Sequence, residues 1–271
     1  MKHLKLKSIG LIALVALFFS LNGCQKEPIN FQTKNLVSTD LLGGDSIVID
    51  YDGNIYEVIK IGDQYWMTEN LRVTHYNDGT PIPCIIDSCG WALTYNGAYS
   101  IYNNDSVNSQ IYGLLYNWYT VNTGMLAPEG WRIPSDEDWK KLEFELGLDS
   151  SSYYVYGFRG ENEGSKLANY SDLWVTGELE MDSSFATAKF NGLPSGRRYW
   201  DGTYDFINEG AYWWSSSEQD EAYAYRRHIW YDLTSISRTG AAKNIGFAVR
   251  CIKNSEPNDN IPSPYSSYRG H

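Results

Sequence analysis

From Ser46 onward the apolar positions first recur at every second residue. Ser46–Tyr51 and Asn54–Ile61 are rich in β-branched residues and flank Asp52-Gly53, which predicts a hairpin. Gly62-Asp63 predicts the next turn and Gln64–Thr68 a third strand. The period then changes. Trp139, Leu142 and Leu146 recur at helical spacing, so one face of a helix over Asp136–Leu146 is apolar. Ser135 predicts the N-cap, with Asp138 three residues on as in a capping box. Asp136, Glu137 and Asp138 place negative charge at the positive end of the helix dipole, and Gly147 predicts the stop. Trp131 and Ile133 lead in as an extended, buried approach. A second helix is predicted over Tyr112–Asn122, with Leu115, Trp118 and Tyr119 inward and Asn122-Thr123-Gly124 closing it.

From Phe185 the pattern is β again. Trp213–Ser217 and Ala222–Leu233 read as strands, the second with Tyr223, Tyr225, Arg227, Ile229 and Tyr231 on one face. A short strand at Ile236 and a last one over Ile245–Lys253 follow. Asp149–Gly164 reads as a loop and Ser165–Asn169 as a helical turn. Strands, two helices, loops and strands predict one α+β domain over residues 46–253, built on an antiparallel sheet. Residues 254–271 hold Pro257, Pro262 and Pro264 and read as a disordered tail.

The N-terminus has a separate logic. Lys2, Lys5 and Lys7 precede the apolar run Ile9–Leu21, which is too short for a permanent membrane span and reads as a secretory signal over residues 1–23. Leu21-Asn22-Gly23-Cys24 resembles the lipobox of bacterial lipoproteins, which implies acylation of Cys24. Gln25-Lys26-Glu27 lacks the aspartate that retains lipoproteins in the inner membrane, and it resembles the export tags of surface lipoproteins. Outer-membrane anchoring with surface exposure is therefore expected, with residues 24–45 as a polar tether.

Charge narrows the partners. Removing residues 1–23 takes three lysines and no acids, so the net charge moves from −11 to −14. With no basic run to neutralise phosphates, nucleic acid is excluded as the partner class. Cys84 and Cys89 lie close together in the polar, aromatic-rich segment Thr80–Gln110. Export permits disulfides, so a local Cys84–Cys89 bridge is expected there. Cys251 shares a strand face with Phe247 and Val249 and reads as a buried thiol. Asp50, Asp52 and Asn54 do not make a calcium loop, because glycine falls at the fourth position and Ile61 at the twelfth. No metal or other cofactor is expected.

Five ordered motifs carry a family resemblance. They are Gln64-Tyr65-Trp66-Met67-Thr68-Glu69-Asn70-Leu71, Gly113-Leu114-Leu115-Tyr116-Asn117-Trp118, the run Gly130–Trp139, Trp213-Trp214-Ser215-Ser216-Ser217-Glu218, and Gly246-Phe247-Ala248-Val249-Arg250-Cys251. Together they resemble the Fibrobacter succinogenes major paralogous domain, a family of exported and often lipid-anchored bacterial proteins. That family is in turn similar to the C-type-lectin-like and formylglycine-generating-enzyme-like folds. The resemblance implies a single C-type-lectin-like domain: antiparallel twisted sheets, two main helices and a long-loop half.

The chemistry of the site is less sharply written. Formylglycine-generating enzymes hold copper with a late cysteine pair, but Cys84 and Cys89 come before the first predicted helix, and the late Cys251 has no neighbour in sequence. Calcium-dependent lectins use Glu-Pro-Asn with Trp-Asn-Asp; here Glu256-Pro257-Asn258 lies in the tail and Trp-Asn-Asp is missing. No catalytic residues are assigned. The expected role is a noncatalytic binding module for extracellular polysaccharide. A protein-docking or structural envelope lipoprotein is the first alternative, and a formylglycine-generating-enzyme-like metal or redox enzyme the second. Candidate ligand-binding residues are Arg197, Arg198, Tyr199, Trp200 and Asp201, with Trp91 and Tyr95 in the cysteine-bearing segment. Their rings would stack on sugar faces, and their polar groups would bond to hydroxyls. For the anchor, Cys24→Ala is expected to release the protein from the membrane fraction or to stall its processing. A variant that is fully processed and still membrane-bound contradicts the lipoprotein reading.

Overall fold

The computed structural model describes residues 47–255. The signal segment, Cys24, the whole tether and the tail from Glu256, including Glu256-Pro257-Asn258, lie outside the described residues. In chain order the strands are β1 (Ile47–Ile49), β2 (Ile55–Ile61), β3 (Gln64–Met67), β4 (Tyr99–Ser100), β5 (Leu115–Tyr116), β6 (Trp131–Arg132), β7 (Gly157–Arg159), β8 (Ser195–Arg198), β9 (Tyr204–Ile207), β10 (Gly210–Glu218), β11 (Tyr223–Trp230), β12 (Leu233–Ala242) and β13 (Ile252–Lys253). The helices are α1 (Ser88–Ala92), α2 (Ser106–Tyr112), α3 (Trp118–Val121), α4 (Asp136–Glu145), α5 (Glu163–Leu167) and α6 (Glu178–Met181).

The architecture is α+β, and the strand pairs are antiparallel. One sheet runs β1-β2-β3-β13-β6, so the last strand is inserted between β3 and β6; the other runs β10-β11-β12-β7. Hairpins β4–β5 and β8–β9 stand beside them. The first turn forms as predicted: Asp50 accepts from the Asn54 backbone N–H at 2.9 Å, and Gly53 takes φ +80°.

Helix α4 is the one long helix among the described residues, and its start is written in its side chains. Ser135 caps Asp138, and the Asp138 carboxylate accepts from the Ser135 N–H at 2.8 Å, which completes the capping box. Arg132 on β6 forks onto the same carboxylate, one of its two bonds at 2.9 Å. Trp139 is fully buried against Trp66, Phe190 and Trp213, with ring centroids 5.0 to 6.0 Å apart. Ile252 of β13 belongs to the same cluster, while Trp131 is half-buried and pairs with Lys253.

The flank of α4 beside this apolar stripe is clamped by charge. Arg227 on β11 and Arg238 on β12 are register partners, and Arg159 on β7 stands beside them on one face of the sheet. Asp136 accepts from Arg227 at 2.8 Å and from Arg238 at 2.8 Å, and it meets Lys140 at 3.0 Å. Glu143, fully buried, accepts from Arg227 at 2.5 Å and from Arg159. Burial works against the ionised form of Asp136, but hydrogen bonds and charge from Arg238, Arg227 and Lys140 more than offset it. The carboxyl is held well below its usual range. Its contribution to stability is therefore present at neutral pH and withdrawn only as acid protonates it.

The predicted helix over Tyr112–Asn122 is not continuous. Gly113 takes φ +79° and packs against Asn70 and Leu71, which ends α2 at Tyr112. Leu115–Tyr116 then pairs with β4, and Tyr116 also bridges Phe247. Helix α3 starts afresh on the Asn117 cap. The last predicted strand is likewise short: after isolated bridges at Gly246, Phe247 and Ala248, only Ile252–Lys253 is ladder-paired.

Glu143→Gln removes one carboxylate from beneath two buried guanidinium groups. It is expected to cost about 3–5 kcal/mol in urea unfolding, as breaking a buried pair does. A loss below about 1 kcal/mol would show that the clamp does not hold the helix.

Candidate functional site

The hairpin β8–β9 presents Arg197 opposite Asp205, and the two side chains form a fork at 2.8 and 3.1 Å. The Arg197 guanidinium lies 4.6 Å from the Tyr199 ring, 4.8 Å from Phe206 and 5.8 Å from Tyr212. Tyr199 in turn meets Trp200, which is 49% exposed at the hairpin turn. Asp201 shapes that turn by accepting from the Thr203 N–H and hydroxyl at 2.9 and 2.6 Å.

From Tyr212 the row crosses the four-stranded sheet. Register places Tyr212 opposite His228, His228 opposite Ser237, and Ser237 opposite Phe158. The His228 ring stacks on Tyr212 at 5.1 Å, and Phe158 reaches across the small Ser237 to meet it at 4.6 Å. One register step along, Arg226 lies 5.3 Å over Tyr212 and donates through Nη1 to His228 Nδ1 at 2.7 Å. Burial, reinforced by Arg226 and Arg197, holds the His228 imidazole well below its ordinary value, so it is neutral and accepts that bond. The result is a strip of rings and guanidinium groups running from Trp200 to Phe158. It has exposed ends, Arg197, Phe206, Arg226 and His228 are half-buried along it, and Tyr212 at its centre is buried.

The chain belongs to the Fibrobacter succinogenes major domain family. Residues 59–253, most of the chain, match that domain. No curated protein and no solved structure shows a significant match. Within this Fibrobacter succinogenes major domain, β8, β9, β10, β11, β12 and β7 all fall inside the matched span, so the strip is part of the domain itself.

The sequence-predicted residues divide. Arg197, Tyr199 and Trp200 come together on the strip, with Asp201 in the turn that carries them. Arg198 faces the other way and is fully buried. It donates to the carbonyls of Ile85, Ile86 and Asp87, the last two at 2.9 and 3.1 Å, and lies 4.5 Å over Trp91, itself fully buried. Both are packing residues. Tyr95 is 73% exposed but meets Tyr119 instead.

The segment that Arg198 holds carries the two nearby cysteines. The expected Cys84–Cys89 bridge is not formed: Cys89 is a free, exposed thiol. Asp87 caps α1 and accepts from the Gly90 N–H, which draws Cys89 into the first helical turn, while Cys84 bridges the Tyr99 backbone. The segment is held by Arg198 and by the Ser88 hydroxyl on the Gly202 carbonyl at 3.3 Å. Cys251 is buried as expected, and burial pushes its thiol up.

Phe158, Phe206, Tyr212, Arg226 and His228 were missed from sequence. The Ala222–Leu233 alternation held the signal in its second face, which places Arg226, His228 and Trp230 together. Phe158 gave none, because β7 exists only through its pairing with β12. Away from the strip, a shallow depression of about 320 Å³ is lined in part by Glu57, Glu69, Tyr170 and Asn191. Glu69 there is already paired with Arg72, and Asn191 with Asn169.

Alkylation of the native protein followed by mass spectrometry is expected to modify Cys89 at once and Cys251 only after unfolding. Protection of Cys89 in the native state would restore the expected bridge.

Proposed function

We propose that the domain is a noncatalytic binding module for extracellular polysaccharide, presented by a lipid-anchored exported protein. The observation that carries this is the strip from Trp200 to Phe158. Sugar rings have apolar faces that lie on flat aromatic surfaces, and hydroxyls at their edges that take directional hydrogen bonds. The strip offers both: Trp200 and Tyr199 supply ring faces, and the guanidinium groups supply planar sets of donors. Its residues sit on a paired hairpin and on sheet strands, so the surface is formed before a ligand arrives. The lipobox-like Leu21-Asn22-Gly23-Cys24 supports presentation outside the cell.

A glycan array followed by calorimetry on any hit, with and without chelator, tests the reading. Binding is expected to survive chelation. Trp200→Ala should weaken it by about two- to tenfold, the worth of one aromatic contact. Tyr, Trp and Arg also dominate protein contact sites. No glycan hit, together with capture of one specific envelope protein, would replace this reading with protein docking.

A further inference from the structure

The four-stranded sheet treats its arginines unequally. On the α4 face, Arg227, Arg238 and Arg159 all meet carboxylates. On the strip, Arg197 has Asp205. Arg226 has no carboxylate: no ion pair involves it among the described residues. Its Nε is buried without a hydrogen-bond partner, and among the described residues its one hydrogen bond is to His228 Nδ1. The guanidinium lies beside the stacked pair of Tyr212 and Phe247, 5.3 and 5.5 Å from their ring centroids. Burial pulls its proton affinity down to about 10, helped by Arg197 and opposed by Tyr212.

Two hydroxyls share the condition. Thr239 Oγ1 and Ser237 Oγ are buried without partners, and register places them opposite Arg226 and His228 on the same face. Because the neutral His228 accepts through Nδ1, its proton is on Nε2, which adds a donor to the group. A desolvated cation with no counter-charge costs a fold stability that an apolar side chain of similar size would return. Unmet donors gathered around such a cation describe a place for an anion.

We infer that Arg226 is an anion subsite of the strip, taking the carboxylate of a uronic-acid residue, so that the polysaccharide bound is acidic. This inference rests on the polysaccharide reading above. A carboxylate matches the planar guanidinium fork, and a sugar that carries one brings the ring face and hydroxyls the neighbouring aromatic and hydroxyl groups suit. Arg197, already forked to Asp205, serves as a stacking surface rather than as the anion receptor.

The test is calorimetry on the mature chain with tetramers of galacturonic, mannuronic and glucuronic acid, each beside its methyl ester. The ester keeps the ring and removes the charge. At least one acid tetramer is expected to bind, with its ester at least about tenfold weaker. Arg226→Lys should lose about tenfold, because it keeps the charge and loses the fork. Arg226→Met should erase the preference for acid over ester while its melting temperature stays at or above that of wild type. Three results would overturn the inference: an ester that binds as well as its acid, a preference that survives in Arg226→Met, or a lowered melting temperature in that variant with binding unchanged. Tighter binding of a polyglutamate peptide than of every uronate would overturn the ligand class. If neutral forms bind equally and lose affinity in Trp200→Ala, the polysaccharide reading stands and this inference falls. If no tetramer of either kind binds and the glycan array is blank, both fall.

Discussion

Two carboxylates on one helix, Asp136 and Glu143, decide where three arginines of the neighbouring sheet can be buried. Without them Arg159, Arg227 and Arg238 would stand side by side in a low-dielectric layer, with each desolvation cost uncompensated. With them, α4 is fixed to β7, β11 and β12 by bonds whose directions set both its height and its rotation on the sheet. The tryptophan cluster around Trp139 supplies the bulk of the apolar burial on the adjoining stripe of the helix. The ionic clamp adds what apolar packing lacks, a single register. Because strand residues alternate, fixing one face of β11 fixes the other, and Arg226 and His228 are presented on the far side as a consequence.

The same alternation separates the ion-paired arginines from those among the rings. Arg226 and Arg227 are neighbours in sequence, and their environments are opposite: one stands among rings with no counter-charge, the other between two carboxylates. Arg197 and Arg198 repeat the division on β8. Arg198 ties the α1 segment to the hairpin from within, while Arg197 lies on the surface row. In both pairs one arginine ties the platform together and the other stands among rings on the strip, half-buried.

Local signals were legible where one short stretch contained the whole cause. The capping box at Ser135 and Asp138, the Asp52-Gly53 turn and the burial of Trp139 all came through from sequence, because each depends on residues within a few positions. The second helix failed because Leu115–Tyr116 is claimed by Tyr99 and Phe247, partners far away in the chain. The site was half legible for the same reason. Trp200 and Tyr199 stand out in a Gly- and Asp-bounded turn, but that Arg198 packs over Trp91 and Arg226 joins the Tyr212 face of the sheet is settled only by pairing. The cysteines show the limit of proximity as evidence: Cys84 and Cys89 are five positions apart, yet the capped turn at Asp87 places Cys89 in a helix.

The central claim is that a ligand lies along the row from Trp200 across β10 and β11. Ten tryptophans make that visible site by site, since each indole N–H gives its own signal in ¹⁵N-labelled protein. Titration with the tightest-binding tetramer is predicted to move the signals of Trp200 and of Trp230, which meets Phe206 on the strip, and to leave buried Trp66, Trp139 and Trp213 in place. Saturable binding that leaves Trp200 and Trp230 unmoved, and shifts Trp174 near the depression at Tyr170 instead, would contradict the account.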